Sequence, residues 1–252
     1  MRALKDRLSA LVGEVVGEEV RGLPSAWENR LTAAVPFRQV WHLSLLSCAS
    51  AQWCGAPPEK GLPASAAVLF LAGATASHGV PAVGVTFPCM EGYDAGGHPE
   101  AGRILAGDAL LPLAVRTICG LDVPGSLVLA DLLLKSATEM LDAMSFGRHA
   151  DMTGRWAGRL AGLAARMGAV VSGAPAFSAE TAALAGMEIG KAAAILQLSP
   201  SRDGKREAET MLKDAMGSFS SGNAGLFGEI CGFVSAMGTG EPDSLFFGFE
   251  PD

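Results

Sequence analysis

Between Lys60 and Glu91 the chain carries no Asp, Glu, Lys or Arg. A helix with no charge on any side has no face for water, so it is buried all round or it crosses a membrane. The apolar heart of this stretch, Ala64 to Ala76, is too short for a bilayer, which takes about 20 residues. His78, Gly79 and Pro81 then interrupt it. The segment is therefore a buried central helix running into a loop, with no membrane span. Such a helix needs a shell of other helices around it.

The rest of the sequence offers that shell. Leu4, Leu8, Leu11, Val15 and Val16 recur at helical spacing within Met1 to Val20, with Lys5, Asp6, Arg7, Glu14, Glu18 and Glu19 for the wet side. Gly22 and Pro24 end that helix. A second helix is predicted from Phe37 to Trp53, and the central one from Ala64 to Ser77. After a Gly- and Pro-rich segment from Gly79 to Pro99, helices are predicted near Pro99 to Cys119, Ser126 to Met144, Gly154 to Met167, Ala179 to Leu198 and Gly204 to Gly217. Ser178 reads as the N-cap of the helix that follows it. The part after Ser218 is Gly-rich, and its Leu245-Phe246-Phe247-Gly248-Phe249 run is an apolar tail that packs back or meets a partner. With 49% hydrophobic residues, only 6% aromatic, and plentiful Ala and Leu, the composition favours helix over sheet. The prediction is one all-α domain over residues 1–252.

Charge removes several functions. A net charge of −7 without any Lys/Arg cluster excludes a nucleic-acid-binding surface. The five cysteines (Cys48, Cys54, Cys89, Cys119 and Cys231) match no zinc spacing, and read as reduced, mostly buried thiols of a cytoplasmic protein. No nucleophile elbow or phosphate loop is present. Tyr93, Asp94, His98 and Glu100 share one loop, and read as solvated rather than as a metal or acid–base set. His42, within an apolar helix, reads as a satisfied core histidine. His149, near Arg148 and Asp151, reads as part of a surface turn.

The segment Arg103-Ile104-Leu105-Ala106-Gly107-Asp108-Ala109-Leu110-Leu111-Pro112-Leu113-Ala114 resembles a helix of the trans-prenyl diphosphate synthases, the farnesyl and geranylgeranyl diphosphate class. Asp108 reads there as a carboxylate at a helix start. Three spacings extend the resemblance over about Phe37 to Gly222. The family's first aspartate-rich run falls on Ser77-His78-Gly79-Val80-Pro81, where Gly79 and Val80 replace the leading aspartates. Its Lys-Thr-Gly falls on Trp156-Ala157-Gly158, in a helix ending Arg166-Met167-Gly168-Ala169. Its second aspartate-rich run follows Gly190-Lys191-Ala192-Ala193-Ala194-Ile195-Leu196, and puts Gln197 and Leu198 at the paired aspartates, Ser201 near the third, and Asp203 two residues further on. The family's basic Gly-Gly-Lys-Arg run is reduced to Pro36-Phe37-Arg38, so Arg38 is the one candidate diphosphate-binding base.

The resemblance implies an isoprenoid-synthase-like helical bundle around a central cavity. In the family, Mg²⁺ held by carboxylates neutralises a departing diphosphate. Gly79, Val80, Gln197 and Leu198 supply no carboxylate, and each 1.4 kcal/mol or so of lost stabilisation costs tenfold in rate. Val80, Trp156 and Leu198 are instead apolar, and suit a filled site where unpaired carboxylates would be costly. The expectation is a polyprenyl synthetase homologue without catalytic residues or metal, acting as a regulatory or structural subunit in isoprenoid biosynthesis. It would form a homo- or hetero-oligomer, the latter with a catalytic prenyl synthase. The alternatives are an active prenyltransferase on allylic diphosphates, with Mg²⁺ on Glu91, Asp94, Asp203 and Glu207, and an isoprenoid- or lipid-binding protein.

Overall fold

The computed structural model describes residues 1–22, 25–78, 99–121, 123, 125–145, 149–198, 201–219 and 223–237. Among these are eleven α-helices and one 3-10 turn, and no strand. The helices are α1 (Arg2–Glu19), α2 (Ser25–Ala34), α3 (Phe37–Ser44), α4 (Leu46–Trp53), α5 (Leu62–Ser77), α6 (Pro99–Cys119), α7 (Ser126–Ser145), α8 (His149–Val171), α9 (Ala176–Leu198), α10 (Arg202–Gly217) and α11 (Gly225–Met237).

The uncharged stretch is the hub. Every residue of α5 from Ala64 to Ser77 is buried, and α1, α3, α6 and α8 pack around it. No helix among the described residues is long and apolar enough to cross a membrane. The second layer is the antiparallel pair α8 and α9. Glycine lets their backbones nearly touch. A Cβ on Gly190 would lie 2.2 Å from the Ala157 carbonyl oxygen, and one on Gly186 2.6 Å from that of Ala161. Gly158 and Gly162 face Met187 in the same seam. Elsewhere, a Cβ on Gly168 would stand 2.0 Å from the Ser47 carbonyl, locking α8 to α4. Gly173, just past α8, takes φ +77°, the left-handed geometry that ends many helices.

Several sequence expectations shift. The helix expected from Phe37 to Trp53 is broken at Leu45, whose ψ of −6° separates α3 from α4. Neither Gly nor Pro marks that break. Two helices were not expected: α2, and α11 in the Gly-rich end. Ser178 is not an N-cap, because α9 already starts at Ala176 behind Pro175. Ser201 is one: its hydroxyl accepts from the Gly204 N–H at 3.1 Å. Asp108 is not at a helix start either, since α6 begins nine residues earlier. The Leu245–Phe249 tail lies outside the described residues. Of the four described cysteines, Cys48 and Cys231 are buried, Cys54 is half-buried and Cys119 is exposed. Burial pushes the Cys48 and Cys231 thiols up to about 12 and also raises Cys54.

Candidate functional site

The packing brings together several positions that the sequence resemblance singles out. Ala157 of α8 opposes Gly190 of α9, and Gly162 opposes Ala183. The start of α8 therefore lies beside the end of α9. Trp156, near the start of α8, reaches Thr75, near the end of α5. Gly107 of α6 presses on Ser77 in the last turn of α5. The C-termini of α5 and α9 and the N-terminal part of α8 thus meet at one end of the bundle. The partial negative charge of two helix C-termini favours a cation there.

What fills this end is mostly neutral. Trp156 is only 2% exposed, and its indole N–H donates to Thr75 Oγ1 at 3.0 Å. The Thr75 hydroxyl in turn donates to the Leu71 carbonyl at 2.9 Å. Every polar atom in this relay has a partner, so the aromatic ring sits in the core at no cost in unmade hydrogen bonds. Beside it, Lys191 spends its charge on Glu188, one turn earlier on α9, at 2.7 Å. At the rim, His78 Nε2 lies 3.1 Å from Asp108 Oδ1, tying the end of α5 to the middle of α6. His78 is a third exposed and Asp108 more than half, so the pair is a wet one of small energetic weight.

The end of α9 is different. Leu198 is half exposed. The Gln197 amide N–H donates to Met237 Sδ of α11 at 3.7 Å, a weak contact. Its carbonyl oxygen is buried with no partner. Nearby on the bundle, His42 of α3 packs its ring 5.2 Å from that of Phe233 on α11 and edge-on to Trp41. His42 is buried as expected, but it is not satisfied: neither ring nitrogen has a hydrogen-bond partner. Desolvation alone holds its pKa near 3 and keeps the ring neutral.

The described residues at these ends offer Mg²⁺ no carboxylate pair. The metal needs hard oxygen donors, usually carboxylates, and the described ends of α5 and α9 present Thr75, Ser77, Gln197 and Leu198. Among the described residues no group of three His, Cys, Asp or Glu side chains comes close enough to hold a metal ion. Asp203 and Glu207 lie exposed on α10, with Asp203 in its first turn, where a carboxylate complements the helix dipole. Gly79, Val80, Glu91, Tyr93, Asp94, His98 and Arg148 fall outside the described residues. So do the side chains of Arg38, on the first turn of α3, and of Glu100, His149 and Asp151. His149 itself is the first residue of α8, and not part of a turn. Sequence reasoning missed Thr75 as the partner of Trp156 and the unsatisfied state of His42; no local pattern signals either.

No family model matches the sequence, and no curated protein matches it. The three-dimensional fold does find relatives: it is that of the trans-prenyl diphosphate synthases. The small subunit of geranyl diphosphate synthase from Antirrhinum majus superposes with a TM-score of 0.70 at 15% identity, over 92% of this chain and 98% of that one. Heterotetrameric geranyl pyrophosphate synthase of mint gives 0.69 at 14% identity, over 94% and 99%. Geranyltranstransferase from Thermotoga maritima gives 0.68 at 16%, over 94% and 99%. The expected isoprenoid-synthase-like helical fold is met.

Proposed function

We propose that this chain is a non-catalytic subunit that associates, in the cytoplasm, with a catalytic trans-prenyl diphosphate synthase and shapes that enzyme's activity or product. The observation that carries the reading is the Trp156–Thr75 bond. A buried indole, fully satisfied by a threonine hydroxyl, stands where the family places a diphosphate-binding lysine. Such an end repels a diphosphate: it offers an apolar ring instead of a cation, and Gln197 and Leu198 instead of metal-binding carboxylates.

The outer face of α6 and α7 supports the partner half of the reading. Leu127, Val128 and Leu134 of α7 are 79%, 55% and 45% exposed, and Leu105 of α6 is 52% exposed. Leu127 and Leu134 lie two turns apart on one side of α7, with Val128 beside Leu127, and exposed large apolar residues at helical spacing mark an interaction surface. At the centre of the α7 stripe, Asp131 and Lys135 form an ion pair, which supplies one charge of each sign to a facing helix. Two of the structural relatives are described as a small subunit and as part of a heterotetramer, so this fold serves such assemblies elsewhere.

The test combines an assay with a binding measurement. The pure protein, with Mg²⁺, isopentenyl diphosphate and a set of allylic diphosphates, is expected to yield no prenyl product. A catalytic trans-prenyl synthase from the same cell is expected to co-elute with it. Leu134→Asp is expected to weaken that association at least tenfold. Prenyl product from the chain alone would overturn the reading in favour of an active enzyme.

A further inference from the structure

Helix α9 is buried around most of its circumference, with α8, α10 and α11 packed against it. An open strip nevertheless runs along it. The strip starts at Phe177 and steps by four and three residues through Thr181, Leu184, Glu188, Lys191 and Ile195 to Leu198, none of them buried. Alternating steps of four and three are the spacing of a seam that meets another helix. Phe177, Leu184 and Leu198 are 83%, 58% and 48% exposed. The neighbouring α10 shows what a water-facing helix of this chain is made of: Asp203, Arg206, Glu207, Glu209 and Lys213 are exposed on it. By that standard the α9 strip is not composed for water.

Charge selects the occupant. Glu188 and Lys191 lie 2.7 Å apart near the middle of the strip, and no other strip residue is charged. Against a second copy, parallel α9 helices would set Glu188 on Glu188 and Lys191 on Lys191. Antiparallel helices related by a two-fold axis do the reverse. An axis passing between Glu188 and Lys191 puts Glu188 of each copy against Lys191 of the other, Leu184 against Ile195, and Thr181 against Leu198. Unlike charges meet unlike, and apolar groups meet apolar. The Thr181 hydroxyl is already spent, since it donates to the Phe177 carbonyl at 3.0 Å. Phe177 prolongs the seam by one turn at either end. The strip is thus complementary to itself under the rotation that most homodimers use.

We infer that α9 is a self-association surface, through which two copies of this chain pair as an antiparallel, two-fold dimer. From Thr181 to Leu198 the seam is about 26 Å long. A single helix pair of that length is at the small end of specific interfaces, so the dimer forms and dissociates readily at micromolar concentrations. Helix α8 lies between α9 and α7, at the floor of a groove lined by Leu132, Gly162 and Met187. This surface is therefore separate from the α6–α7 face, and the inference does not rest on the subunit reading.

The test is sedimentation velocity of the pure full chain from low to high micromolar concentration. The expected result is a monomer that converts to a dimer. Leu184→Glu and Glu188→Lys are each expected to weaken dimerisation by about tenfold or more, with the circular dichroism of the fold unchanged. Glu188→Lys combined with Lys191→Glu in one chain is expected to restore the dimer, because the reversed charges still meet in the antiparallel register. Leu134→Asp is expected to leave this dimer intact while weakening co-elution with a catalytic synthase. A chain that stays monomeric throughout would overturn the proposal. So would a dimer that both single changes leave intact, or one that the double reversal does not rescue. A dimer broken by Leu134→Asp would place self-association on the α6–α7 face and would overturn it as well.

Discussion

Trp156 and His42 are buried to nearly the same degree, 2% and 1% exposed, and both are aromatic side chains with polar nitrogen on helices that border the core. Their fates are opposite. The indole N–H of Trp156 meets a hydroxyl that is itself bonded onward to backbone, while His42 meets only hydrocarbon and aromatic faces. The first is a closed arrangement in which nothing further is wanted. The second is open, with donor and acceptor capacity unused.

The sharpest way to break the closed region is at its support. Gly190→Val would drive a Cβ to within 2.2 Å of the Ala157 carbonyl and part α8 from α9 next to Trp156. Denaturant unfolding should show a loss of about 3 kcal/mol or more, since overpacking against backbone cannot relax by a rotamer change. The open region should respond with the other sign. His42→Phe removes two unsatisfied nitrogens and is expected to raise stability by about 2 kcal/mol at neutral pH.

Acid separates the two regions further. Unfolded, His42 titrates near 6.5, whereas burial holds it near 3 in the folded chain. Between these values the unfolded chain takes up a proton that the folded one refuses. Stability is thus highest above pH 6.5 and falls on acidification, with the unfolding constant rising by up to about tenfold per pH unit from this residue. His42→Phe should flatten that part of a stability–pH profile, whereas Trp156→Phe should leave it intact. A Trp156→Phe profile as flat as that of His42→Phe would contradict the assignment. Trp156→Phe itself is expected to cost about 1 kcal/mol at neutral pH, because Thr75 keeps its bond to Leu71. Smallest of all, Leu134→Asp on the outer face should change monomer stability by no more than about 0.5 kcal/mol, so that any loss of association reports the surface alone.

Much of this was readable in advance, for identifiable reasons. The Lys60–Glu91 gap in charge dictates a buried helix, because charge is written in the residue types themselves; the close α8–α9 seam at Gly158, Gly162, Gly186 and Gly190 was not read, because glycines spaced along a helix do not say which helix they face. That Gln197 and Leu198 carry no carboxylate is equally plain. The break at Leu45 was hidden because an αR residue with a shallow ψ needs no special side chain. Helix α11 was hidden by Gly225, Gly228 and Gly232, whose poor propensity is overridden by the burial of Leu226, Phe227, Ile230, Phe233 and Val234. Asp108 was misplaced because its Gly-Asp pair mimics a helix start. The state of His42 depends on what α11 brings to it from nearly two hundred residues away, and no local pattern holds that information.

The uncharged helix α5 has a consequence for how the chain is made. Thr75 meets Trp156 across 81 residues of sequence. At a synthesis rate of about 5–20 residues per second, α5 leaves the ribosome about 4–16 s before the helix that closes over it. Until α6 emerges, this uncharged helix is flanked only by α1 to α4, and until α8 follows it stays partly open to aggregation or to any protein that holds nascent hydrophobic segments. The feature that makes the finished bundle coherent is also the point at which its biosynthesis is most exposed.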